Sequence, residues 1–137
     1  MKTNKLLLFI LAGAFLTMGI EVRYFHAGIT PYKPVAWTPI ITAALGFLIC
    51  LVGMFVGKKA SKGLGVTMLL LSLSGLAGFY FHHGGDFSHL VHLIQDDYSQ
   101  VLLEKNGYPA PPELAPLSFT GLSVMAGILL LSPQNKK

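Results

Sequence analysis

The chain has 137 residues, of which 53% are hydrophobic and 12% charged, with a mean hydropathy of +0.60. Soluble domains carry about 25% charged residues, so this balance points to a lipid bilayer rather than an aqueous globular domain. The net charge of +4 and pI near 9.3 do not call for nucleic acid, because the basic residues lie in short runs flanking apolar segments, as membrane topology requires.

The first apolar segment covers about 5–25 and opens LLLFILAGAFL behind Lys2 and Lys5. A bilayer core of about 30 Å needs roughly 20 apolar residues in helical form, and this run supplies them. Basic residues followed by an apolar stretch also imitate a secretory signal peptide. With no A-x-A site and no lipobox cysteine, the segment reads as a retained span, with cleavage near Gly19 as the alternative. Glu21 lies in its last turns, where a carboxylate at membrane depth calls for a partner. Arg23 is near in sequence, but residues two apart do not face each other on a helix, so His82 or His83 from another span is the better expectation. An interfacial Glu21 touching headgroups and water is the alternative. His26 follows at the top of the segment.

A short loop, HAGITPYKPVAW, leads to a second segment at about 36–56. Trp37 suits an interfacial anchor and Pro39 a first helical turn. The single cysteine, Cys50, lies within this apolar run, so it forms no intrachain disulfide and reads as a small hydrophobe. The next stretch, GKKASKG, is expected as a loop, followed by a third segment at about 64–81 that ends in His82 and His83. The fourth and shortest segment covers about 115–131, after the proline-rich connector NGYPAPPELAP. Small residues recur four apart at Gly53 and Gly57, Ser74 and Gly78, and Ser123 and Gly127, a spacing that lets helix backbones approach. A compact four-helix bundle is the simplest use of these pairs, and an oligomer face is the other.

Between the third and fourth segments, DFSHLVHLIQDDYSQVLL (86–103) repeats apolar residues every three or four positions, the pattern of an amphipathic helix. Asp86 can cap it, and Gly84-Gly85 separates it from the span before. Its polar row holds His89, His92 and Asp96, two imidazoles and a carboxylate. The expected architecture is therefore all-α: an integral membrane four-helix bundle with an extra amphipathic interfacial helix between spans three and four, forming one domain.

Seven of the ten basic residues flank the cytoplasmic side of this topology, and the opposite side receives all six acids and all five histidines. The positive-inside rule accordingly places both termini in the cytoplasm, in the manner of a bacterial inner-membrane protein. Histidines at such an interface can serve as amphipathic caps, the simplest reading. They can also ligate a transition metal, with Glu21, His26, His82, His83, His89, His92 and Asp96 as candidate ligands. A haem b held by His26 and His82 or His83 is a special case. The H-x2-H-x3-D row lacks the HExxH arrangement of zinc hydrolases, and no nucleophile motif accompanies any histidine, so no catalytic residue is assigned. A solvated polar face is its simplest reading, and a pH-responsive surface is a further one. The spans carry hydroxyls but no ionisable group at mid-membrane, which disfavours a small-solute transporter or proton channel.

One set of residues has a further likeness. Glu21, His26, Pro34, Trp37 and Pro39, then Gly78, His82 and Gly85, then Pro111-Pro112-x-x-Ala115-Pro116-x-x-Phe119 resemble small four-span bacterial inner-membrane proteins of no assigned function. The resemblance implies the four-span fold and no catalytic residue, and it does not include His83, His89 or His92. The expected role is a non-catalytic subunit of a membrane complex, with the lipid bilayer and a membrane-protein partner or second copy as its contacts. A metal- or haem-binding protein is the alternative.

Overall fold

The computed structural model describes residues 3–83 and 114–132, and these form four α-helices with no strand among them. Helix α1 spans Thr3–His26, α2 Thr38–Gly53, α3 Lys58–His83 and α4 Ala115–Leu131, with a 3-10 turn at Pro34–Trp37 leading into α2. Three helices are long and apolar enough to cross a membrane (α1, α2 with its 3-10 turn, and α3), and α4 is a shorter apolar helix of 17 residues. The proposed amphipathic helix at 86–103, with His89, His92 and Asp96, lies outside the described residues.

Local chemistry accounts for the boundaries. Pro39 falls in the first turn of α2, where its missing N–H removes no helical hydrogen bond. Pro116 occupies the same place in α4. GKKASKG, expected as a loop, is corrected: Lys58, Lys59 and Lys62 belong to the first turns of α3, and the connection from α2 shrinks to residues 54–57. Lysine is a good helix former, so charge ends the apolar stretch there without ending the helix. The helix begins as the Ser61 N–H donates to the carbonyl of Gly57 at 2.9 Å.

Helices α3 and α4 form the most extensive pair and α1 and α2 the next; α2 also packs on α3 and α4, and α1 on α4. Helices α1 and α3 have no extensive contact of their own, so they stand on the long diagonal of the bundle. The core is built from small residues and a few large ones: Ala12, Ala43, Cys50 and Ala126 surround Leu8, Phe15, Met68 and Leu130. Phe15 of α1 and Phe119 of α4 meet there with ring centroids 6.5 Å apart.

Small residues set how closely the helices approach. On α3, Ser61, Gly65, Met68, Ser72 and Gly75 are buried at alternating intervals of four and three. A Cβ at Gly75 would stand 2.5 Å from the Pro116 carbonyl oxygen and 2.7 Å from the Thr120 nitrogen, so backbone meets backbone at this crossing. Lower down, a Cβ on Gly65 would come within 3.1 Å of the Gly127 carbonyl, and one on Gly127 within 3.1 Å of the Gly65 carbonyl. Two hydroxyls fasten the same seam: Thr120 Oγ1 donates to the Ser72 carbonyl at 3.0 Å, and Ser61 Oγ to the Leu130 carbonyl at 2.7 Å. Of the expected pairs, Gly53, Gly78 and Gly127 each face a neighbouring helix of the same chain, whereas nothing packs on Gly57.

Candidate functional site

The site begins with one face of α1. Met18, Glu21 or Val22, and Phe25 or His26 recur every three or four residues and therefore look the same way, toward the end of α3. Across from them, α3 presents Ser74, Gly78 and His82 at intervals of four. The first turn of α4, with Pro116 and then Phe119, closes the base, and the loop from Ile29 to Ala36 closes the rim. These elements enclose a cavity of about 370 Å³ on the α1–α3 diagonal, where those two helices have no extensive contact.

Three of the sequence-derived candidates share this lining: Glu21, His26 and His82. The rings of His26 and His82 lie 6.3 Å apart between centroids and are tilted by 40°. The half-buried His26 ring is held in place by its own helix, since Nδ1 lies 3.0 Å from the Val22 carbonyl. A carbonyl only accepts, so Nδ1 carries the hydrogen, and in the neutral ring Nε2 is left with a free lone pair. Glu21 is exposed on the same wall, and no ion pair joins it to either histidine among the described residues. With His82 the expected Glu21 partnership is shared lining rather than a salt bridge; the side chain of His83, the other expected partner, lies outside the described residues. His83 is the last residue of α3.

The structure also brings in residues that the sequence did not single out for this site. Lys33 reaches the rim from the loop, and Ser74 lies on the α3 wall. Ser74 Oγ donates to the Leu71 carbonyl at 2.7 Å, and Thr42 Oγ1 of α2 stands 3.0 Å from it and 2.9 Å from the Thr38 carbonyl. Just outside the cavity, the Arg23 guanidinium sits 5.7 Å from the centre of the Trp37 ring. This cation–π contact ties α1 to the 3-10 turn that forms part of the rim. The opposite end of the bundle has its own such contact, Lys5 over Phe55 at 5.6 Å.

Among the described residues, no three His, Cys, Asp or Glu side chains are placed to hold one metal ion. What remains is the two-imidazole pair. Two imidazoles on opposite sides of one ion stand about 6 Å apart between ring centres, given metal–nitrogen bonds of about 2.0 Å. The observed separation fits that limit, and a bent arrangement would require the rings to move closer. Comparison with protein-family models, curated proteins and solved structures finds no match. The resemblance to four-span inner-membrane proteins therefore stands on its quoted residues alone.

Proposed function

We propose that this chain is an integral membrane protein, a four-span bundle of the bacterial inner membrane with both termini cytoplasmic, serving as a non-catalytic subunit of a membrane complex. One observation carries the membrane reading: a belt of large apolar side chains is turned outward around a core of small residues and a few large ones. Leu6, Phe9, Ile10, Leu16 and Ile20 are exposed on α1, as are Val66, Leu70 and Leu73 on α3 and Met125 and Ile128 on α4. An apolar belt of this extent is costly in water and ordinary in lipid, where packing depends on small residues at the helix interface. Several serine and threonine hydroxyls support a dry bundle, although that of the buried Ser123 has no hydrogen-bond partner among the described residues. Those of Thr17, Thr67 and Ser72 each donate to a carbonyl in their own helix, so these three need no water within the spans.

The Lys58–Lys62 end is assigned to the cytoplasm and the His26–His82 end to the periplasm by the positive-inside rule. Fusing a periplasm-active phosphatase after residue 30 and after residue 60 tests this. Activity at 30 and none at 60 is the expected result; the reverse pattern, or release of the protein by alkaline carbonate, overturns the reading. A second reading, a metal or haem site, is favoured by the His26–His82 separation.

A further inference from the structure

The cavity on the α1–α3 diagonal has the composition of a binding site for a small molecule, and its polar groups restrict what that molecule can be. Its volume of about 370 Å³ lies in the range of ligand pockets, which combine apolar walls with a few placed polar groups. Phe25, Phe81 and Phe119 approach it from three different helices, with Met18 on the α1 wall. Aromatic rings prefer offset or edge-on contact with other aromatics, and a methionine sulfur adds to such contact.

On the α1 wall the polar groups of the cavity are acceptors, whereas Lys33 and Thr38 bring donors to its lining. His26 Nδ1 is held by the Val22 carbonyl, so the free ring nitrogen, Nε2, is directed away from its own helix as a lone pair. Glu21 adds a carboxylate on the same wall. The Ser74 hydroxyl has given its hydrogen to the Leu71 carbonyl. Lys33 at the rim is the one cationic donor among the described lining residues. Ser74 Oγ already accepts from Thr42 Oγ1 and Glu21 is exposed, so the acceptor that a purely hydrocarbon occupant would leave without a donor is Nε2 of the half-buried His26.

We infer that this cavity binds a membrane-soluble aromatic alcohol, of the phenol or benzenediol class, whose hydroxyl donates to Nε2 of His26 while its ring packs among Phe25, Phe81 and Phe119. The inference rests on the membrane reading only for the route by which such a ligand arrives. Topology fusions test that reading, and binding in detergent tests this one, so the two fail separately.

The experiment is calorimetric titration of the full chain in mild detergent with an alkyl-substituted resorcinol, against empty micelles, and with the dimethyl ether of the same compound. The ether keeps the ring and the tail but cannot donate. Saturable binding of one resorcinol per chain is expected, with the ether at least about tenfold weaker, because a site built to hydrogen-bond a hydroxyl discriminates against the analogue that lacks it. His26→Ala should show a comparable loss while keeping the helical circular dichroism of the parent chain. Equal affinity for resorcinol and ether in the unmodified chain overturns the inference without recourse to any variant. So does a His26→Ala chain that binds like the parent. Stoichiometric cuprous ion bound through His26 and His82, with resorcinol heats no greater than those of empty micelles, assigns the pair to a metal and overturns it as well.

Discussion

Toward α4, helix α3 turns Ser61, Gly65, Ser72 and Gly75, and the two backbones come so close that a single added carbon at Gly75 would strike the Pro116 carbonyl. Elsewhere the same helix lines a cavity with Ser74, Gly78 and His82, where Ser74 meets Thr42 of α2, Gly78 backs on Pro116 of α4, and α1 stands across the open space. The helix is continuous and apolar through both regions, so the difference lies in which residues fill the crossing. Glycine at the α3–α4 crossing removes the side chain that would hold the helices apart, and interhelical hydroxyl bonds then lock the seam. On the long diagonal nothing pulls α1 and α3 together over that length, and the rings of His26 and His82 meet only at the end. The seam supplies rigidity, and the diagonal supplies room for chemistry.

Substitutions that load the two sides unequally test this contrast. Gly75→Ala should have the largest effect, about 3 kcal/mol of destabilisation at the upper end of overpacking costs, because the obstacle is backbone that cannot swing aside. The shift in the detergent-unfolding midpoint measures it, and an unchanged midpoint would mean that the seam is not close-packed. Gly127→Ala should cost less, about 1 kcal/mol in the same assay. Its nearest obstacle is the Leu69 Cδ2 methyl at 2.9 Å, the movable end of a side chain. Thr120→Val keeps the shape and loses the bond to the Ser72 carbonyl, which should cost about 0.6 kcal/mol, the average for interhelical hydrogen bonds in a membrane protein.

Much of this was legible in the residues, for reasons that are local. Apolar run length marks a helix, and the fourth segment, 115–131, corresponds to Ala115–Leu131. That Glu21, His26 and His82 would share one end followed from counting crossings, since α1 and α3 both finish there. The seam was only half legible. Pairs four apart drew attention to Gly78 and Gly127, but the alternating four-three spacing of Ser61, Gly65, Met68, Ser72 and Gly75 was the stronger signal and mixes two intervals. The cavity was not legible at all: Lys33, Ser74 and Phe119 come from three separate elements, and no local pattern reports which side chains face one another across a gap. The His26 bond to Val22 was within reach, since a polar side chain near a helix end readily bonds to the carbonyl four residues back.

The smallest expected effect separates the two sides most sharply. Ala77 is two residues from Gly75 on the same helix, yet it is exposed and lines the cavity. Ala77→Leu adds three carbons where Gly75→Ala adds one, so a uniformly packed bundle would suffer more from the leucine. If the diagonal is open, the leucine side chain enters free space, and stability should change by no more than about 0.5 kcal/mol, the usual range for exposed positions. The variant should still narrow the cavity and weaken resorcinol binding while its unfolding midpoint stays put. A midpoint drop as large as that of Gly75→Ala would show that α1 and α3 are packed together in solution, and the distinction between seam and diagonal would fall with it.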